Sequence, residues 1–179
     1  MKTLKESLFD SDLKSKDPIL YHPKNSDELY RIIKKELNKQ GPDANLNGID
    51  VSKIKGMTDL FYDLEVRNID ISLWDVSNVT DMNSMFSGCK EFNCDLSKWD
   101  VSNVTDMSSM FDGCKNFNSD ISKWDVSKVK YTMCMFDGCE KFNQDLSKWD
   151  MKNVYRMDMM FNRCKTLKKL KKIPSWYHE

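Results

Sequence analysis

Cys89, Cys114, Cys139 and Cys164 recur every 25 residues, and two aspartate series, Asp75, Asp100, Asp125, Asp150 and Asp70, Asp95, Asp120, Asp145, keep the same step. Thiols in such number could pair as disulfides or hold a metal, and ranked carboxylates could bind calcium or work as acid and base. The spacing favours simpler chemistry. Four of the six cysteines fall at one phase, so their number follows from copying a unit, and no Cys-x-x-Cys pair or neighbouring histidine completes a metal set. Buried free thiols acting as small apolar residues are expected, and Cys94 and Cys134, outside the series, are not expected to pair. Asn93-x-Asp95-x-Ser97 is loosely similar to a calcium loop, yet short carboxylates at repeat turns more simply accept backbone N–H groups as Asx turns. No metal and no cofactor are therefore expected.

His22 and His178 lie near the two ends, far from either aspartate series, and no phosphate loop, nucleophile elbow or His-Glu-x-x-His run occurs. The expectation is a protein that catalyses nothing, with no catalytic residues. Charge points the same way in total but not in layout. Lys plus Arg balance Asp plus Glu at 28 each, whereas residues 151–179 carry a net +6 and the remainder −6. The basic end, through Arg163, Lys165, Lys168, Lys169, Lys171 and Lys172, is a candidate contact for nucleic acid or an acidic protein, or else a solvated cap. Scarce Gly (6) and Pro (4) beside 40% apolar residues exclude collagen-like and wholly disordered chains. No apolar run approaches the ~20 residues that span a bilayer. With a charged start and no signal core, a cytoplasmic location is expected, with the cell surface as alternative.

What must position these groups is a repeat. Trp74, Trp99, Trp124 and Trp149 open near-copies of W-D-V-S-N-V-T-D-M-S-S-M-F-x-G-C-x-x-F-N-x-D-L-S-K, and Ile49 to Ile71 fill the preceding phase. Val79, Met82, Met85, Phe86 and Cys89 fall on one face of a short helix, capped by Ser77 or Asn78 and ended by Gly88. Phe92 to Ser97 reads as a brief strand. A unit this small cannot bury its own apolar face, so about five must stack. The expected fold is an α/β solenoid, leucine-rich-repeat-like, each unit giving a short helix and a short parallel strand.

The unit resembles the repeat of the BspA-type leucine-rich-repeat family, also catalogued as a mycoplasma-type repeat of unknown function. The resemblance implies a curved solenoid with a strand ladder on one face and helices on the other, and many relatives look like bacterial surface proteins that contact other macromolecules. The expected organisation is an N-terminal arm at 1–22, a capping helix at 23–45, the solenoid at 46–170 and a C-terminal cap or tail at 171–179. Asn25-x-x-Glu28 and the Leu29, Ile32, Ile33, Leu37 stripe predict a helix over about Ser26 to Gln40, stopped by Gly41-Pro42.

The units break their consensus in one place. Where earlier units carry Asp81, Asn83, Ser84 and Asp106, Ser108, Ser109, later ones carry Tyr131, Met133, Cys134 and Tyr155, Arg156, Met159. These are residue types that dominate binding hot spots, so this region is the expected partner-binding site. The competing expectation is that Ile173, Trp176 and Tyr177 fold over it. The functional expectation is a non-catalytic protein–protein interaction module, an intracellular bacterial or phage-borne binding or inhibitor protein with an unidentified protein partner, a monomer. A surface adhesin-like protein and a nucleic-acid binder are the alternatives.

Overall fold

A computed structural model describes residues 18–178, so most of the arm predicted at 1–22 lies outside the described residues. Among the described residues two helices are present, α1 (Ser26–Gln40) and α2 (Lys165–Lys169). The expected α/β solenoid of helix–strand units is not what forms. Among the described residues the repeats contain no continuous strand and, before α2 in the last of them, no helix, and each is a chain of tight turns touching its neighbours through isolated parallel bridges. One file of bridges runs Gly56, Asp81, Asp106, Tyr131, Arg156 at the repeat spacing.

The turns explain why a helix pattern misleads. In the coil that begins at Val76, Met85 N–H donates to Met82 O, Ser87 to Ser84 O and Cys89 to Phe86 O. Chained turns of this kind set apolar side chains three residues apart, as a helix would. Ser84 (φ 53°) and Gly88 (φ 80°) are left-handed, the third position of a type II turn, and this breaks any helical path. The N–H groups between turns then point sideways. Met82 donates to Asp106 O, Ser84 to Ser108 O, Phe86 to Met110 O and Gly88 to Asp112 O, at 2.8–2.9 Å. From Ser84 to Cys89 the donors alternate, one reaching a carbonyl of the next coil and the following one closing a turn within its own.

The predicted strand fails for a related reason. Along 92–97 one backbone bond, Asn93 N–H to Arg67 O at 3.2 Å, joins the preceding coil, and side chains supply further links, with Asn118 N–H donating to Asn93 Oδ1 and Leu96 N–H to Ser119 Oγ. A polar side-chain ladder takes the place of most of a backbone ladder there.

The core lies inside the coils. Phe61, Phe86, Phe111, Phe136 and Phe161 stack with centroids 5.2, 5.7, 5.8 and 5.6 Å apart, and Phe92, Phe117 and Phe142 form a second file at 6.0 and 5.9 Å. All eight rings are fully buried. The tryptophans pack beside them and donate Nε1–H to carbonyls of the preceding coil, Trp99 to Ile71 O and Trp124 to Leu96 O. Trp176 extends this file two residues out of register by donating to Leu146 O.

The start is closed as the sequence predicts. Asn25 Oδ1 accepts Glu28 N–H, Glu28 accepts Lys24 N–H, and Gly41 ends α1 with φ 84°. Leu29 and Ile33 of α1 enter the core, and Ser26 Oγ donates to Gly56 O of the first full coil.

Gly113 and Gly138 stand in file with Gly88, and a Cβ on Gly138 would sit 3.5 Å from Gly113 Cα while φ is 70°. Gly138→Ala is expected to lower unfolding free energy by about 1–2 kcal/mol in urea titrations. In a helix the same change would add about 1 kcal/mol, so the sign separates the two architectures.

Candidate functional site

The residues that break consensus are brought together on the two last coils. Tyr131 and Arg156 form a parallel bridge, the Tyr131 and Tyr155 rings lie 6.4 Å apart at 58°, and Tyr155 N–H donates to Lys130 O. Cys134 N–H donates to Asp158 O, and Cys134 and Met159 occupy equivalent left-handed turn positions, not helix faces. Exposure divides the six. Tyr155 (71%), Met159 (53%), Tyr131 (40%) and Arg156 are open to solvent, whereas Met133 and Cys134 are half-buried. In earlier coils the Tyr131 position holds Asp81 and Asp106, whose carboxylates accept the N–H of Asn83 and Ser108. The exchange gives up a turn-stabilising bond and gains exposed aromatic surface. Arg156 is fixed by its own Asp158 at 2.8 Å.

The C-terminal segment does not cover this surface. Trp176 and Tyr177 pack on Phe161, the last ring of the core, with Tyr177 edge-on at 5.1 Å. Ile173 packs against the same core, which closes the end of the stack and leaves Tyr155 open.

The basic end is partly occupied. Arg163 makes a two-pronged contact with Asp137 at 2.8 and 2.9 Å and lies 3.8 Å from Asp112. Lys165 bonds Glu140 at 2.8 Å and Lys172 reaches Asn143 O at 3.1 Å. Lys168 and Lys169 belong to the exposed side of α2, and Lys171 is exposed beyond it.

The Arg163 bracket is the feature sequence reasoning missed. Arg163 replaces the glycine of the file Gly88, Gly113, Gly138, and its guanidinium lies back along the lane those glycines leave open. It meets Asp112 and Asp137, stacked on adjacent coils. Burial and the charge of Asp137 together push the Asp112 carboxyl up, against the opposing pull of Arg163. The signal was available as a basic residue at a glycine phase.

The thiol series serves packing. Cys89, Cys114, Cys139 and Cys164 donate Sγ–H to Phe61, Phe86, Phe111 and Phe136 carbonyls at 2.9–3.0 Å, and all six cysteines are free. Burial pushes Cys89 and Cys164 up to about 12 and Cys94 to about 11. The aspartates accept N–H groups two residues on, as at Asp95–Ser97, Asp100–Ser102, Asp120–Ser122 and Asp125–Ser127. Each is held below the usual carboxylate range by the same serine, chiefly through its side-chain hydroxyl at Asp100, Asp120 and Asp125 and through its N–H at Asp95. Among the described residues no group of three His, Cys, Asp or Glu side chains is placed to hold a metal, and no helix is long and apolar enough to cross a membrane.

Fold and site together define a class, a repeat chain whose turn-built coils are stacked by backbone bonds and whose surface character changes at one end. The chain belongs to the family described as Mycoplasma protein of unknown function, DUF285, whose model matches residues 33–119 and 55–176. No curated protein and no solved structure matches the chain.

Two measurements test the site's chemistry. Because Asp112 is raised in the folded state, its ionisation costs stability as pH climbs through and above the ordinary carboxylate range. Asp112→Asn is therefore expected to unfold at higher temperature than the wild type at pH 7, with the margin closing towards pH 3. Maleimide at pH 7 is expected to label Cys134 promptly and the five buried thiols only in urea, with Cys134→Ser removing the prompt phase.

Proposed function

We propose that this chain is a non-catalytic protein-binding module whose contact surface is Tyr131, Tyr155, Arg156 and Met159, with Met133 and Cys134 beneath. The observation that carries the reading is the exposure of two tyrosines, a methionine and an arginine side by side on the fourth and fifth coils, where the second and third hold Thr, Asp and Ser. Aromatic and Arg side chains in a contiguous patch supply most of the energy in protein interfaces. The coils beneath are fixed by bonds in both directions, so the patch is ordered before a partner arrives and little ordering entropy is lost on binding. The BspA-type likeness of the repeat supports the same reading, and six free thiols suit a reducing, cytoplasmic setting.

Nucleic-acid binding through the basic end is the second reading, supported by the +6 balance of residues 151–179. It has to contend with Arg163, Lys165 and Lys172, which already hold partners inside the molecule. Heparin retention that falls steeply with salt and vanishes in a Lys168/Lys169/Lys171/Lys172→Gln variant would favour it.

The deciding experiment captures proteins from source-cell lysate with wild type and with a Tyr155→Ala/Met159→Glu variant shown by circular dichroism and urea midpoint to be folded. Retention of a defined protein is expected to fall about tenfold or more in the variant. Equal retention by both would discard the patch as the site.

A further inference from the structure

At alternating positions each coil donates N–H groups to the coil that follows, and in the last coil the equivalent donors meet no acceptor among the described residues. The N–H at the first alternating position donates in turn from Met57 to Asp81, Met82 to Asp106, Met107 to Tyr131 and Thr132 to Arg156, at 2.8–2.9 Å. The second runs from Asp59 to Asn83, Ser84 to Ser108, Ser109 to Met133 and Cys134 to Asp158, at 2.7–3.1 Å. In the fifth coil these positions are Met157 and Met159, and among the described residues no acceptor meets either N–H. Both residues line a groove of about 420 Å³ whose far wall includes Lys168, Tyr177 and His178. Unpaired donors, apolar methionine side chains and basic groups therefore share one open surface beside the Tyr155 patch.

We propose that this edge takes an acidic peptide segment of a partner protein as the next rung of the stack, its carbonyls accepting from Met157 and Met159 N–H. The inference rests on the protein-binding reading and names what the partner contributes. A chain segment is the chemistry the edge fits, because four preceding coils satisfy the same two donors with peptide carbonyls in one register. Acidic character follows from charge. Among the described residues the groove wall carries Lys168 and one carboxylate, Asp158, which Arg156 meets at 2.8 Å, and residues 151–179 carry a net +6. A second copy of this chain fits less well. Its complementary acceptor edge is in the first coil, where α1 stands over the core with Leu29 and Ile33 inserted, while Tyr177 stands over Phe161 at the donor end. The two caps would meet before the edges did.

The test uses amide hydrogen exchange by NMR on the full chain. The probe is a capped synthetic peptide with the sequence of Thr105–Gly113, a segment that pairs in this register inside the protein and carries Asp106 and Asp112. At about 1 mM peptide, exchange at Met157 and Met159 is expected to slow about tenfold or more while Met82 and Met107 are unchanged. The slowing should shrink for the peptide with both aspartates replaced by asparagine, and in about 0.5 M salt. Unchanged exchange at Met157 and Met159 overturns the proposal, as does equal protection by the asparagine peptide. Protection that rises with protein concentration alone, with a dimer in sedimentation, assigns the edge to a second copy and also overturns it, and so does protection by single-stranded RNA in place of the peptide. The captured partner separates this inference from the reading beneath it. If that partner is lost in Tyr155→Ala/Met159→Glu yet leaves these two amides exchanging as in the free chain, the binding module stands and the added rung falls. If its retention ignores the double variant, the module reading itself falls.

Discussion

An N–H group that leaves its own coil and finds a carbonyl 24 residues further along is the bond on which the rest of this structure depends. Met82, Ser84, Phe86 and Gly88 make it to the next coil, and the intervening residues close turns on themselves. A buried backbone donor without a partner costs about 1–3 kcal/mol, so this division fixes the path of each coil once its neighbour exists. The left-handed residues at Ser84 and Gly88 follow from it, because only by turning there can the chain alternate between facing inward and facing along the stack. So does the core, whose rings sit one above another because the backbone spacing sets their separation, near the distance at which aromatic faces pack.

The same bond accounts for what was and was not legible. The period, the buried Trp, Phe and Cys files, the Asx role of the aspartates and the capping helix were readable, since each depends on residue type at a phase. The helix and strand within the unit were not. Val79, Met82, Met85 and Phe86 carry a spacing that a helix and a run of turns share, and nothing in apolar periodicity says which way an N–H points. Asp81, Asn83, Ser84 and Gly88 together are poor helix formers and good turn formers, and that composition was the available warning. The predicted strand failed because Asn93 and Asn118 do through side chains what a strand does through its backbone.

At the site, the grouping of Tyr131, Tyr155, Arg156 and Met159 was legible because loss of consensus at a fixed phase places residues on one surface whatever local structure carries them. Their partial division was not. Met133 and Cys134 are half-buried on a coil that another follows, with Cys134 N–H bonded to Asp158 O, whereas Met159, at the phase of Cys134 on the last coil, is exposed. The Arg163 bracket was hidden for another reason. Its partners Asp137 and Asp112 lie one and two coils back, and only the empty lane above Gly138 lets a long side chain reach them.

Repetition also constrains where function can sit. Inside the stack each coil's polar backbone is answered by the next, its core positions are filled by one residue type, and its exposed positions are short polar groups that finish turns. Such a coil has nothing left to offer a partner except a bland surface. At Met157 and Met159 no acceptor among the described residues meets the N–H, and on this coil and the one before it the sequence exchanges Ser and Asp for Tyr, Met and Arg. α1 closes one end by burying Leu29 and Ile33, an apolar solution that consumes its own surface. The other end is closed over Phe161 by Tyr177 and Trp176 but not along Met157 and Met159, so its cap protects the core while leaving the edge of the coil open. At the alternating positions each coil's donors are answered by the coil that follows, so the last coil keeps two of them unanswered among the described residues, and Tyr155, Arg156 and Met159 stand beside them.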